Sequence, residues 1–395
     1  MKRKRQGAPV SILVILLGVA GMSSWILGRA FLRARATHAL AIAVYHNDTD
    51  AALSALRAGG DPNTRQSPKD MPPTFLQVVQ QFLRQMRGGK TPSAADADHR
   101  PPMIALAAAK GNTEVVQALL HSGASPNAYA RYGEDEYSPD DADATEGQTA
   151  LMWAAKNEDM DMTKALLDSG ANPNFNDSRW GEAPLLQTTD PAVMEILLAH
   201  GADVHIGLKH SKFAGITPLR YVILNLIDNE EAIQASHLNG YRCMEVLLAH
   251  GADINEDHGS YSDEEDRGYE STPLQMVARY GTPDDVRFVL AKGGGRYHGK
   301  VTDWDALASA IDDGRTDNMQ VLLRHGFNAN RRDTDGRTPL FQAVEHGVDG
   351  PVQALIDAGA KVNIRDKNGV TPLHLAIRDD NGTVQDILEK AGARR

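Results

Sequence analysis

Thr338-Pro339-Leu340 opens a stretch that runs through Ala354-Leu355-Ile356-Asp357-Ala358-Gly359 and closes with Ala360-Lys361-Val362-Asn363. Thirty-three residues later the opening phrase returns as Thr371-Pro372-Leu373, and Asn330 and Asn363 keep the same separation. A threonine can cap a helix, and a proline at the first helical position loses no hydrogen bond, because its N–H would be unpaired there anyway. A helix therefore starts at 338. Gly359 supplies the left-handed stop of a second helix, and the residues after it lead into a turn. Each unit reads as helix, tight turn, helix and extended loop. Two helices of about nine residues cannot bury their apolar stripe alone, so such units have to stack on one another.

Outward from this stretch the phrases recur. Thr-Pro-Leu also stands at 217–219 and 272–274, and a Leu-Leu-x-x-Gly-Ala phrase closes earlier units at 119–124, 166–171, 197–202 and 247–252. The period and both phrases resemble the ankyrin-repeat family over nearly the whole chain after residue 36. The expected fold is an all-α solenoid of stacked helix-turn-helix units with β-turn or hairpin loops, spanning 37–395 in eight or nine repeats. Second helices should end near 56, 119, 166, 197, 247, 290, 322, 355 and 388. Three units depart from the pattern: the first, 37–63, lacks the Thr-Pro start; the fourth, 183–205, is two residues short between its helices; the unit at 304–330 begins Trp304-Asp305-Ala306-Leu307.

The first 35 residues differ in kind. They hold seven Lys and Arg and no acid, whereas the rest of the chain holds 34 basic and 52 acidic residues, a net of −18. A basic tail at 1–9 precedes an apolar stretch at 10–28 that Arg29, Arg33 and Arg35 close. About twenty apolar residues suffice to cross a bilayer as a helix, so the stretch predicts a transmembrane helix, with a cleaved signal sequence as the alternative and Ala34-Arg35-Ala36 as its small-x-small site. The expected arrangement is single-pass, with a cytoplasmic N-terminus and extracytoplasmic repeats, periplasmic in a bacterium; the alternative is secretion after cleavage. Asn47, Asn176 and Asn381 begin glycosylation triplets, which matter only in a eukaryotic secretory pathway.

The acidic remainder argues against nucleic acid as a partner, because duplex binding needs a basic stripe to release counterions. Insertions break the period at 64–100, 128–147 and 256–270. The first carries an amphipathic helical pattern, Phe75, Leu76, Val78, Val79, Phe82, Leu83 and Met86. The second carries Tyr132, Glu134, Asp135, Glu136, Tyr137, Asp140 and Asp141; the third carries Tyr261, Asp263, Glu264, Glu265, Asp266 and Tyr269. The resemblance implies that these loops are fingers along a concave binding face, which makes these thirteen residues candidates for contact with a protein partner of basic surface. Tyrosine favours interfaces and grouped carboxylates steer cations. Solvated connectors are the alternative.

Apparent chemical motifs fare worse. Gly294-Gly295-Arg296-Tyr297-His298-Gly299-Lys300 has phosphate-loop spacing, but Val301 stands where Ser or Thr should hold magnesium, and the loop follows a helix instead of a strand. Asp141-Ala142-Asp143-Ala144-Thr145 resembles a calcium loop without its turn glycine, since Glu146 occupies that place. His121, His200, His250 and His325 recur at one repeat position and read as helix-end residues. Cys243 falls on the leucine face of its helix and reads as a buried thiol. No catalytic residue, cofactor or metal site is expected. The resemblance implies a non-catalytic protein-binding module; a regulatory or stabilising subunit of a separately encoded enzyme is the alternative, and a nucleotide enzyme built on 294–300 a distant third.

Overall fold

The structure, a computed structural model, describes residues 10–65, 74, 77–78, 80, 101–129, 147–176, 182–207, 216–227, 235–256, 272–297, 300–301 and 303–394. Nine second-helix segments punctuate the described residues, eight of them closing a pair of α-helices and one following a 3-10 turn. The chain forms two compact units, one of residues 1–203 with 208–212 and the other of 204–207 with 213–395.

In the first unit, α1 (Val10–Tyr45) and α2 (Thr49–Arg57) form the first pair, followed by α3 (Met103–Ala109) with α4 (Thr113–His121) and α5 (Ala150–Lys156) with α6 (Met160–Asp168). A 3-10 turn (Pro184–Leu186) and α7 (Pro191–Ala199) complete it. First helices pack on first helices and second on second. The short fourth repeat loses its first helix to that single turn. Ala183 precedes the turn without a side-chain cap, while Leu185 and Leu186 are still buried. The shortfall is thus taken up by the helix as well as by the connection.

No helix among the described residues is long and apolar enough to cross a membrane. This overturns the expected transmembrane helix at 10–28, and with it the single-pass membrane localisation. The backbone shows why the assignment goes astray: α1 does not stop at a basic boundary but carries Arg29, Arg33 and Arg35 within its length. Its last turns are the first helix of the first repeat, burying Leu40, Ala41, Ala43 and Val44 against α2 and α3. Thr37 pins the junction, donating to Arg33 O and accepting from the Asp61 N–H, both at 2.9 Å. Side chains of residues 10–24 lie outside the described residues, as does most of the amphipathic pattern at 75–86.

The second unit contains α8 (Pro218–Ile227) and α9 (Ala235–Ala249), α10 (Pro273–Tyr280) and α11 (Pro283–Ala291), α12 (Asp303–Asp312) and α13 (Thr316–Arg324), α14 (Pro339–Glu345) and α15 (Asp349–Asp357), α16 (Pro372–Arg378) and α17 (Gly382–Lys390). Between α11 and α12 a two-stranded antiparallel hairpin, β1 (Arg296–Tyr297) and β2 (Lys300–Val301), pairs Arg296 with Val301 and Tyr297 with Lys300. The capping chemistry follows the sequence in most places. Thr272 and Gln275 form a reciprocal capping box, and Thr371 accepts from the His374 N–H. Thr338 does not cap. The Phe341 N–H bonds the Thr338 carbonyl at 2.8 Å, and the Thr338 hydroxyl is buried without a partner among the described residues. Proline at the first helical position starts α14 by itself.

Asparagines at one position of the loops tie neighbouring repeats. Asn330 donates its amide to Gly359 O at 3.0 Å and accepts from the Lys361 N–H at 2.7 Å. Asn363 repeats this with Gly392 O and Arg394 N, Asn127 with Gly170 O and Asn172 N, and Asn174 with Gly201 O and Asp203 N. Each rung satisfies the carbonyl of the glycine just past the helix end, which lies outside the helix's own hydrogen-bond ladder. The loops therefore leave each stack from fixed, equivalent points.

Candidate partner-binding surface

All thirteen candidate residues, Tyr132, Glu134, Asp135, Glu136, Tyr137, Asp140, Asp141, Tyr261, Asp263, Glu264, Glu265, Asp266 and Tyr269, lie outside the described residues, as does the calcium-like stretch at 141–145. The structure does show where their loops begin. At the root of the second insertion the Tyr129 ring packs on Phe175, centroids 4.7 Å apart, and Arg65 donates to Tyr129 O at 2.8 Å. A cleft of about 360 Å³ opens there, lined by Pro62, Arg65, Pro102, Ile104 and Tyr129 among others. At the root of the third insertion, Glu256 accepts from the Thr217 hydroxyl at 2.5 Å. That carboxylate is committed to its own repeat.

Three of the four repeated histidines, and Cys243, sit as their sequence positions suggest. His121, His200 and His325 each place Nδ1 against the carbonyl four residues back, at 2.7, 2.8 and 3.2 Å, so the ring finishes the helix by pairing a terminal carbonyl. Cys243 is fully buried. Gly294 and Gly295 lead from α11 into the β1–β2 hairpin, a helix-to-hairpin path unlike the strand-to-helix turn of a phosphate loop. Among the described residues no group of three His, Cys, Asp or Glu side chains is placed to hold a metal ion.

Two patterns of polar side chains escape a reading along the chain, because each is assembled from successive repeats. Near the ends of the first helices of the second unit, polar side chains pair with one another: Arg279 with Asp313 at 3.2 Å, the His346 ring with Asp312 at 3.3 Å and Arg378 with its sequence neighbour Asp379 at 2.7 Å. The Arg378 pair raises the arginine and lowers the aspartate from their ordinary values. A partner covering this row would have to desolvate pairs that are already satisfied. On the loops the pattern is different. Arg331, Arg332, Lys361 and Arg365 are exposed and make no ion pair among the described residues. The acid lying among them in sequence, Asp366, is buried: its Oδ1 accepts from the N–H groups of Asn368 and Val370, and Arg337 Nε stands 3.6 Å from its Oδ2. Burial opposes its ionisation, yet those N–H groups and the guanidinium hold the carboxyl below the usual range.

A family model described as ankyrin repeats in three copies matches residues 37–177, 104–207, 231–333 and 307–394. The chain belongs to the ankyrin-repeat family. Ankyrin repeats are in general non-catalytic protein–protein interaction modules, and the helix pairs, Thr-Pro starts and asparagine rungs of this ankyrin-repeat protein are that scaffold. Among solved structures it is similar to the human ASB11 ankyrin repeat domain, with 21% identity over 62% of this chain and 98% of that one and a TM-score of 0.45. No curated protein matches the sequence.

Proposed function

We propose that this ankyrin-repeat protein is a non-catalytic module that holds a partner protein of basic surface through the acidic, tyrosine-bearing insertions at 128–147 and 256–270. The supporting observation is the asparagine at the root of each insertion: Asn127 bonds Gly170 O and the Asn172 N–H, and Asn255 bonds Gly293 O. Loops rooted this way present several contacts from a fixed base, which lowers the ordering cost of binding. Carboxylates on such loops attract a cationic face over a screening length of about 8 Å at physiological salt, and the tyrosines supply contact area with few rotamers to freeze.

The test replaces Glu134, Asp135, Glu136, Asp263, Glu264, Glu265 and Asp266 with Ser or Asn and compares partner capture by mass spectrometry with that of the wild type. Exposed loop substitutions change stability by less than about 0.5 kcal/mol each, so the variant should melt like the wild type. Capture of the wild-type partner should fall in the variant and should weaken as salt rises. Equal recovery from both proteins at low and high salt would show the insertions to be solvated connectors.

A further inference from the structure

A cleft of about 540 Å³ lies beside the last described loop, between the end of α15 and the turn after α17. Its wall is mainly aliphatic: Ile356, Ala360, Val362, Ile364 and Ala391. The two polar residues on it are Lys361 and Asn363. Asn363 is already committed at both ends of its amide, to Gly392 O at 3.1 Å and to the Arg394 N–H at 2.9 Å. The cleft therefore lacks the convergent hydrogen-bonding groups that orient a small polar ligand. It has room for one aliphatic or aromatic side chain.

Cations stand on the loop that lines it, Lys361 and Arg365, and on the loop one repeat before, Arg331 and Arg332. Arg332 and Arg365 occupy equivalent positions in successive repeats, and Arg332 Nη1 reaches Arg365 O at 3.5 Å, so the two guanidiniums follow one edge. Arg331 stands one repeat before Ile364 of the cleft wall, and Lys361 one repeat before Arg394; all three charged side chains are exposed. Two of the neighbouring acids are withdrawn: Asp366 is buried on backbone N–H groups and Asp335 faces Lys367 at 3.8 Å; Asp357, hydrogen-bonded to the Gln353 amide at 2.7 Å, and Glu389 are exposed.

We propose that this cleft and its rim of Arg331, Arg332, Lys361 and Arg365 bind an acidic peptide segment of a partner protein, with one apolar side chain of that segment seated in the cleft. The inference rests on the protein-binding reading above but uses a different surface, of opposite charge. Nucleic acid fits less well. The cations are few, Lys367 is already paired, and the chain as a whole carries −11, whereas duplex affinity comes from many released counterions. An apolar cleft also has no use for a phosphate backbone, while it does discriminate a peptide side chain.

The experiment uses the full chain and three short fluorescein-labelled synthetic peptides followed by anisotropy: one rich in Asp and Glu with a central Leu, the same peptide with Ser for that Leu, and a Lys-for-acid version. The first should bind at about 50 mM salt and weaken by about tenfold or more at about 300 mM. The Ser version should bind more weakly and the Lys version not at all. Combining Arg331→Gln, Arg332→Gln, Lys361→Gln and Arg365→Gln should reduce affinity for the acidic peptide about tenfold or more while the thermal melt stays in place. If that variant unfolds, Arg331→Gln alone, in an exposed side chain, should still weaken binding severalfold. Equal binding of the Leu and Ser peptides, undiminished binding to the charge variants, or tighter binding of a thymidine oligonucleotide would each overturn the proposal. Partner capture lost only on neutralising the acidic insertions, with no acidic peptide bound, would sink this inference and leave the protein-binding reading standing. Capture unaffected by either set of changes would remove both.

Discussion

Tyr241 donates its phenol to Asp285 Oδ1 at 2.6 Å while its ring lies nearly parallel to that of Phe288, centroids 4.4 Å apart. One side chain of α9 thereby grips two residues of α11, across the acidic insertion that separates them in sequence. Asp285 is itself fixed from its other oxygen, which accepts from both the N–H and the hydroxyl of Thr282. The carboxylate links a helix start to the helix of the preceding repeat.

Burial first, and then the hydrogen bond and negative charge of Asp285, push the Tyr241 phenol well above its ordinary value. The fold holds this proton more tightly than the unfolded chain, where a tyrosine ionises near about 10. The stabilisation is full below that pH and is lost as pH rises beyond it. Tyr241→Phe keeps the stacking but leaves Asp285 Oδ1 short of a donor, at a cost of about 1 to 3 kcal/mol. Melting temperatures at about pH 8 and pH 11 check this: the wild type should lose more stability across the interval than Tyr241→Phe.

Gly295 and Gly359 separate two reasons for a glycine. Both have positive φ, +93° and +86°, but an added Cβ at Gly359 meets nothing within 4 Å, whereas at Gly295 it would stand 3.0 Å from Leu274 and 3.0 Å from Phe327. Gly359→Ala should cost about 1 to 2 kcal/mol from backbone strain alone. Gly295→Ala adds overpacking of about 1 to 3 kcal/mol to that strain, and should be the more damaging of the pair in urea denaturation. Equal costs would show that Leu274 and Phe327 give way freely.

Leu355 on α15 is fully buried, and α15 packs on α13, α14 and α17. Leu355→Ala should cost about 2 to 5 kcal/mol. In a repeat stack each unit touches only its neighbours, so loss of hydrogen-exchange protection should centre on α13 to α17. Uniform loosening from α8 onward would contradict nearest-neighbour coupling.

Asp366 works in the opposite pH direction from Tyr241. A carboxyl held below its usual value stabilises the fold fully above about pH 4 and loses that contribution as pH falls further. Asp366→Asn should therefore flatten the acid side of the melting profile: its melting temperature should fall less between about pH 5 and pH 3 than that of the wild type. Parallel profiles would mean that Val370, Asn368 and Arg337 do not favour the charged form.

The helices were readable because their signals are local. Threonine, proline and leucine at 272–274 or 371–373 start a helix within three residues, and Gly359 stops one within a single turn. The same rule misleads at Thr338, where the Phe341 N–H prefers the backbone carbonyl, and at residues 184–186, where the chain is too short for the helix it announces. At the N-terminus, apolar composition suggested a span, but composition along one segment does not reveal that α1 continues into a packed repeat. What escaped entirely was contact between distant positions. Tyr241 and Asp285 stand 44 residues apart, and Arg332 meets Arg365 over 33. A run of carboxylates in one insertion is visible along the chain; a cationic edge assembled one residue per repeat is not.

The asparagine rungs carry an implication for how such a chain can change length. Asn127, Asn174, Asn330 and Asn363 all present the same amide to the same pair of backbone groups, a glycine carbonyl and the N–H two residues beyond it. A joint whose two halves never vary accepts any unit that carries them. Duplication of one repeat would create a correctly mated junction on both sides without any further substitution. Where His205 or Tyr297 takes the place of that asparagine the joint is no longer generic, and an insertion there would need a partner surface of its own. Growth and loss of repeats in relatives of this chain should therefore fall at the asparagine loops and spare those two.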